Sequence, residues 1–138
     1  MYDAMCASED NQMKRQHIFA VNGSSDFLDV IRELFQDEEY NVTTTNFVPE
    51  TFDLIATLKP ELLMVDLVIG QHAGWDLLEH ISAEAQTNGI PLIIVSTSDQ
   101  ILDDAQADHA RYGGDLFIRK PFDLEDILAA VRKLIGTA

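Results

Sequence analysis

The sequence predicts an α/β fold in which five parallel strands form one doubly wound (βα)5 sheet with helices on both faces. Three observations predict it. Apolar segments alternate five times with segments of helical periodicity. Residues 61–66 and 91–96 are almost continuously apolar, as expected of strands buried on both faces of a parallel sheet. The length of 138 residues and hydrophobic content of 46% fit one domain with a full core.

The first strand–helix unit begins with a predicted strand at residues 17–22. Asn22-Gly23 ends this strand, and Ser24 or Ser25 can cap the helix that follows. The apolar positions of that helix recur at helical spacing and are Phe27, Val30, Ile31, Leu34 and Phe35. A strand that runs directly into a helix in this way is typical of a βα unit.

The second unit combines a polar strand with a short helix. Residues 41–46 are rich in β-branched side chains and predict an edge strand. Pro49 suits the first turn of the next helix, because proline needs no amide hydrogen there. The apolar residues of that helix are Phe52, Ile55 and Leu58. Lys59-Pro60 is expected to end it.

The third and fourth units contain the most apolar strands. The strand at 61–66 ends in Asp66, and Gly74 is expected to precede a helix. The core positions of that helix are Leu77, Leu78 and Ile81. Asn88-Gly89 is predicted to end it, and the strand at 91–96 follows.

The last part of the chain predicts an acidic helix at 99–111, a short strand at 115–118 and a final helix capped by Asp123. That final helix has apolar positions at Leu124, Ile127, Leu128, Val131, Leu134 and Ile135, and Gly136 ends it. Residues 1–15 show no periodicity, so we expect a flexible leader before a domain at 16–138.

The charge of the chain narrows the classes of partner. Nine Lys and Arg residues against 24 Asp and Glu residues give a net charge of -15, which disfavours direct contact with nucleic acid or an anionic membrane. The single Cys6 forms no internal disulfide, and the polar amino terminus lacks the apolar core of a signal peptide. These features predict a cytoplasmic protein.

Three polar residues follow three neighbouring strands of the predicted sheet: Asp66, Ser96 and Lys120. The carboxyl ends of such strands meet at one crevice, where ligands bind in open α/β folds. A carboxylate can attack phosphorus there, while an amine and a hydroxyl bind the phosphoryl oxygens. Each residue alone has an ordinary interpretation, as a strand-end acid, a helix cap or a surface lysine. Their convergence favours phosphoryl chemistry, with these three as the candidate catalytic residues.

These motifs resemble the receiver domain of bacterial two-component response regulators. The resemblance covers about residues 16–136 and rests on MVDLVIGQHAGWDLL, PLIIVSTS and GGDLFIRKPF. It implies a flavodoxin-like receiver fold and a signalling module rather than an enzyme. It further implies that Asp66 accepts a phosphoryl group from a histidine kinase or phosphotransfer protein, and that Ser96 and Lys120 bind it. Phe117 would report the change by swinging inward, and the Lys120-Pro121 bond would be cis.

The sequence departs from this family where the first strand ends. Receivers usually have two adjacent acids there, which help to hold Mg²⁺, whereas this chain has Asn22 and Gly23. The family's proline four residues after the phosphoacceptor is replaced by Gly70. Because Mg²⁺ anchors on carboxylates, we expect no cofactor and weak Mg²⁺ binding at most, with no metal site assigned. One carboxylate and one ammonium already balance, so Asp66 and Lys120 are expected to pair directly.

Three functions remain open at this point. The first is an atypical receiver that acts through protein–protein contacts, with Mg²⁺-dependent phosphorylation impaired or lost. The second is a receiver that still accepts phosphoryl groups and is switched by a histidine kinase. The third is a small flavodoxin-like cofactor-binding protein, although the sequence has no glycine-rich phosphate loop.

The expected contact surface for a downstream partner or a second copy of the chain is the face of the last two helices and the last strand. The resemblance implies this face. Arg111 and Arg119 add positive charge near it in an otherwise acidic protein, which favours an acidic partner. The alternative is that both arginines only balance neighbouring acids such as Asp103, Asp104 and Asp108.

Overall fold

Five parallel strands form one sheet in a computed structural model that describes residues 15–22, 25–46 and 49–136. The sheet order is β2-β1-β3-β4-β5. The strands are β1 His17–Val21, β2 Asn41–Thr45, β3 Leu62–Asp66, β4 Leu92–Ser96 and β5 Leu116–Arg119. This confirms the predicted parallel, doubly wound sheet and places β2 at an edge. The strand order reverses between β1 and β3, which is where such folds form a crevice.

Helices cover both faces of the sheet. They are α1 Ser25–Asp37, α2 Thr51–Leu58, α3 Ala73–Ala83, α4 Asp99–Ala107, α5 His109–Tyr112 and α6 Leu124–Ile135. On one face α1 and α6 pack against residues such as Ile18 and Met64, and on the other α2, α3 and α4 pack against residues such as Phe19 and Val65. Successive residues of a strand therefore pack against opposite helical layers, and every residue of β3 and β4 is buried.

The carboxyl end of α3 is at Ala83, five residues before Asn88 of the predicted Asn88-Gly89 stop. The next residue takes an extended conformation. Thr87 is fully buried and donates its hydroxyl hydrogen to the carbonyl of Ile81 at 2.7 Å. This bond satisfies a carbonyl that the helix end leaves open, so the chain turns before the Asn-Gly pair.

Other predicted boundaries differ by smaller amounts. Gly74 lies inside α3 rather than before it, and Pro49 lies two residues before α2 instead of in its first turn. The helix predicted at 99–111 is divided, because Asp108 has non-helical angles (φ -119°, ψ 53°) between α4 and α5. Asp123 occupies the N-cap position of α6, but its side chain makes no capping hydrogen bond.

Some predictions fall on parts of the chain that the structure does not describe. Residues 1–14 of the predicted leader, Gly23 and Ser24 lie outside the described residues. The boundary between leader and domain therefore stays a prediction. None of the helices in the described ranges has the length and hydrophobicity that crossing a bilayer requires.

Candidate functional site

The three candidate residues converge at the carboxyl edge of the sheet. Asp66 is the last residue of β3 and Ser96 the last of β4, and these strands pair in register. Lys120 directly follows β5, and its backbone amide donates to the carbonyl of Ser96 at 2.8 Å. Because parallel strands all end at the same edge of the sheet, the polar residues at their carboxyl ends lie at one crevice. The predicted placement of the three residues is confirmed.

Asp66 and Lys120 form a direct ion pair. Lys120 Nζ lies 3.1 Å from Asp66 Oδ1, and the side chains are only 17% and 5% exposed. Burial raises the pKa of the Asp66 carboxyl above its ordinary value, and the nearby ammonium of Lys120 only partly offsets this. The pairing expected from the sequence is confirmed, and the carboxylate it involves is costly to ionise.

An aromatic ring lies on another side of the Lys120 ammonium. Nζ is 4.3 Å from the ring centroid of Phe27, in the first turn of α1. Phe27 itself packs edge-on against Phe122, with 5.9 Å between centroids and an interplanar angle of 78°. The helical spacing of Phe27 predicts only a place on the core face of its helix. Phe27 lies in the first turn of a helix that begins at the crevice, and this position could have predicted its contact with Lys120.

Ser96 binds the backbone rather than the ion pair. Its side chain is fully buried, its hydroxyl donates to the Leu67 carbonyl at 2.7 Å, and it accepts from the Ser98 amide at 3.2 Å. Ser98 in turn caps α4 by accepting from the Ile101 amide. The hydroxyl of Ser96 thus joins the ends of β3 and β4 to the start of α4. Its role toward a phosphoryl group stays a prediction.

The β1 side of the crevice carries a neutral residue. Val21 pairs with Val65 in the β1–β3 register, so Asn22 lies beside Asp66 in the next position. Asn22 is 1% exposed, and its backbone amide donates to the Thr45 carbonyl at 3.1 Å. Within residues 15–22, 25–46 and 49–136, no group of three or more His, Cys, Asp or Glu side chains is arranged to hold a metal ion.

The loop from β3 to α3 makes a tight turn close to Asp66. The Gln71 amide donates to the Val68 carbonyl at 3.1 Å, and Gly70 has a φ of +79°. A positive φ at the third position is what type II turns require, which explains the glycine. The turn leaves the side chain of Ile69 68% exposed at the mouth of the crevice.

Phe117 lies on β5, opposite Ile94 of β4, and is half-buried. Its ring packs so closely on Gly114 that a Cβ atom there would lie 2.6 Å from Phe117 Cζ. The ring therefore fills the space that a side chain at position 114 would need. The proposed inward swing of Phe117 stays a prediction.

The two arginines expected on one surface lie on different ones. Arg111 pairs with Glu79 of α3 at 2.7 Å, so its guanidinium faces α3 rather than β5, and its expected place on the β5 face is wrong. Arg119 pairs with Asp99 at 3.1 Å and donates to the Thr97 carbonyl at 3.2 Å. Only Arg119 remains at the junction of β5 with the start of α4.

Comparison with known proteins identifies the family. The family model described as the response regulator receiver domain matches residues 18–132, most of the chain. This chain belongs to the response regulator receiver domain family. The match supports the receiver interpretation over a flavodoxin-like cofactor protein, and it places the domain in two-component signalling.

Similar proteins include a curated transcriptional regulator and a curated response regulator. The receiver is 33% identical over 82 residues to the DNA-binding dual master transcriptional regulator RpaA of Synechocystis, covering 59% of this chain and 33% of that protein. It is 24% identical over 119 residues to the response regulator SaeR of Staphylococcus aureus, covering 86% of this chain and 50% of that protein. The chain thus spans a third to a half of these relatives.

The fold of the receiver is also found in solved structures. The chemotaxis response regulator CheY4 of Vibrio cholerae superposes with a TM-score of 0.76 at 17% identity, covering 88% of this chain and all of that one. Identity this low shows the common fold alone.

The residues of this receiver do not fit the Mg²⁺ site that its family implies. Mg²⁺ takes six oxygen ligands in near-octahedral geometry and usually anchors on carboxylates. Asp66 supplies one carboxylate, which Lys120 already contacts, while Asn22 is neutral and Gly23 has no side chain. Positions 22 and 23 therefore supply no carboxylate to anchor this ion, and weak Mg²⁺ binding stays a prediction.

Proposed function

We propose that this receiver is atypical and acts in two-component signalling through protein–protein contacts, with Mg²⁺-dependent phosphorylation at Asp66 impaired or lost. The observation that supports it is the direct 3.1 Å contact between Asp66 and Lys120 beside a neutral Asn22. This pair is electrically balanced. A divalent ion placed beside it would leave excess positive charge in a buried site.

Phosphoryl transfer to Asp66 would require two rearrangements. A carboxylate oxygen of Asp66 would form the new P–O bond, while the P–N bond to the donor histidine breaks and the imidazole keeps the electron pair. Lys120 would have to leave its contact with the carboxylate and follow the phosphoryl oxygens. Ser96 would have to release the Leu67 carbonyl before its hydroxyl could bind the phosphoryl group. Metal ions normally neutralise charge in such transfers, and the residues here supply little replacement.

A second candidate is a receiver that still accepts phosphoryl groups from a histidine kinase or phosphotransfer protein. The retained Asp66–Lys120 pair favours it, because both functional groups of the expected chemistry are within 3.1 Å. The cis bond between Lys120 and Pro121, expected from the resemblance, is present as well. Slow transfer without bound metal is compatible with these features.

Intact-mass analysis after treatment with acetyl phosphate, with and without Mg²⁺, separates the two candidates. The atypical receiver gains little or no mass, and the gain does not depend on Mg²⁺. Asp66→Asn serves as the control for modification at other sites. A full gain of one phosphoryl group that requires Mg²⁺ and disappears in Asp66→Asn contradicts impaired phosphorylation.

The proposed contact surface is the face formed by α4, β5 and α6. Arg119 supports it as a basic residue at the junction of β5 and α4, where it donates to the carbonyl of Thr97, the residue after Ser96. A net charge of -15 favours protein partners over direct nucleic-acid binding and is compatible with a cytoplasmic module. The partner is a downstream protein or a second copy of the chain.

A further inference from the structure

We propose that Phe27 is a positioning residue for Lys120, and that its ring face holds the ammonium beside Asp66. The inference concerns the same ion pair as the proposed function. It rests on contacts in the resting state and not on whether Asp66 is phosphorylated.

The geometry places the ammonium between two unlike partners. Lys120 Nζ is 3.1 Å from Asp66 Oδ1 and 4.3 Å from the centroid of the Phe27 ring. A cation within about 6 Å of a ring centroid, over its face, is attracted by the negative potential of the π system. The 17% exposure of the Lys120 side chain strengthens this attraction, because little water screens it.

The Phe27 ring is itself held in place by a second aromatic ring. Phe122 packs edge-on against it at 78°, an arrangement that the quadrupoles of two rings favour. Phe122 follows Lys120 and Pro121 in the loop that leads to α6, whereas Phe27 comes from α1. The ring under the ammonium is therefore packed against the loop that carries the lysine, and this contact joins α1 to that loop.

Asp66 is the carboxylate partner of Lys120, and the β1 side of the crevice is neutral at Asn22 and Gly23. A second attractive contact is therefore needed to hold the ammonium in place. A lysine has a long flexible stem, and holding it in one conformation costs side-chain entropy. An adjacent acid pair would attract the ammonium from the β1 side, but Asn22 and Gly23 carry no charge. The aromatic face supplies attraction without adding another buried carboxylate beside Asp66.

Packing alone is the competing explanation, because Phe27 also belongs to the hydrophobic layer under α1 and α6. The two explanations differ for substitutions that keep the apolar volume. Leucine preserves most of the packing but has no ring face. Tyrosine keeps the ring and adds a hydroxyl at its edge.

Acylation of lysines by a small amine-reactive reagent tests the proposal, and mass spectrometry measures the extent of labelling at each lysine. The reactivity of Lys120 is measured relative to the exposed Lys59 and Lys133 in the same molecule. We expect Phe27→Leu to raise the relative labelling of Lys120 by roughly threefold or more, since the ammonium gains freedom to reach solvent. Phe27→Tyr should label like wild type.

Phe52→Leu is the matched control. Phe52 is also half-buried and stacks on a ring, that of His80 at 3.6 Å, but it lies on the other layer of the fold. It should leave Lys120 labelling unchanged. Equal labelling of Lys120 in wild type and a folded Phe27→Leu protein overturns the proposal, and so does Phe27→Tyr behaving like Phe27→Leu.

Nuclear magnetic resonance of the unmodified protein provides a test that needs no variant. The ring current of Phe27 should shift the ε-methylene protons of Lys120 upfield of those of Lys59 and Lys133. Random-coil shifts for Lys120 would overturn the proposal even if Phe27→Leu did not fold. Normal Mg²⁺-dependent phosphorylation would contradict the proposed function and leave both of these measurements unaffected.

Discussion

The two sides of Asp66 differ in what they offer the carboxylate. On the β5 side, Lys120 contacts it at 3.1 Å and is itself backed by the ring of Phe27. On the β1 side, the buried Asn22 is neutral. One side is thus organised around a fixed positive charge, while the other lacks the acids that would attract a metal ion. The difference shows that the charge of Asp66 is balanced by a side chain from the β5 side.

Removing the charge on the β5 side should have the largest effect on stability. Lys120→Met leaves Asp66 as a buried carboxylate without its ammonium, and we expect the free energy of unfolding to fall by about 2–4 kcal/mol at pH 7. The pKa of Asp66 should rise further, because its main attractive charge is lost. Urea unfolding at neutral and mildly acidic pH checks this. The loss should shrink at acidic pH, as the carboxyl becomes neutral, and an equal loss at both values would contradict it.

Adding charge to the β1 side should convert the site toward the family pattern. Asn22→Asp combined with Gly23→Asp should tighten Mg²⁺ binding at least about tenfold, because carboxylates are the ligands that anchor this ion. The metal-free protein should lose about 1–2 kcal/mol of stability from repulsion among three carboxylates. Calorimetric titration and thermal unfolding with and without Mg²⁺ measure the two effects. Unchanged Mg²⁺ affinity would show that the β1 side does not limit binding.

Neutralising Asp66 should give a smaller effect of opposite sign. Since burial raises the pKa of Asp66 in the folded state, the native protein binds more protons than the unfolded one between the ordinary and the raised pKa. The contribution of Asp66 to stability therefore decreases as pH rises through that window, and the ionised form is a net cost above it. Asp66→Asn should therefore stabilise the protein at pH 7, by less than the loss expected for Lys120→Met.

The pH dependence provides the check on this prediction. The difference in stability between Asp66→Asn and wild type should disappear at a pH below the ordinary pKa of an aspartate. Thermal unfolding over a pH series measures it. A variant that is less stable than wild type at neutral pH would mean that Lys120 compensates for burial more fully than its geometry indicates.

Charge reversal outside the crevice should have the smallest effect on stability. Arg119→Glu breaks an exposed pair with Asp99, so the free energy of unfolding should change by less than about 0.5 kcal/mol. Binding across the proposed α4–β5–α6 face should nevertheless weaken. Sedimentation of the protein alone, or titration with a partner, measures this. Arg111→Glu is the matched control because it faces α3, and an equal loss of binding in both variants would contradict the assigned face.

The strands and the convergence of the site could be predicted from sequence because they depend on strong local patterns. Continuous apolar runs that end in Asp66 and Ser96 have few alternatives to buried parallel strands, and parallel strands bring their carboxyl ends together. The predicted end of α3 was wrong because the observed end depends on a side-chain contact that helical periodicity does not encode. The hydroxyl of Thr87 reaches back to Ile81 only when the chain has already turned into the core.

The side-chain contacts inside the site were less predictable. Direct pairing of Asp66 with Lys120 followed from charge balance alone. The hydrogen bond from Ser96 to the Leu67 carbonyl depends on the path of the loop after β3. Hydrophobic periodicity does not predict that path. Phe27 was assigned to the core because its spacing satisfies an amphipathic helix, and a ring can meet that requirement while also facing an ammonium.

The turn at Gly70 limits how this receiver could revert to the usual sequence of its family. Proline fixes φ near -65°, whereas Gly70 has a φ of +79°, so the two residues need different backbone paths at this position. A Cβ atom at position 70 would meet nothing within 4 Å, so the obstacle is conformational and not steric crowding. Reversion would require the loop to be rebuilt before the proline could be accepted. Placing acids after β1 needs no such change in this loop, so the two departures are structurally independent.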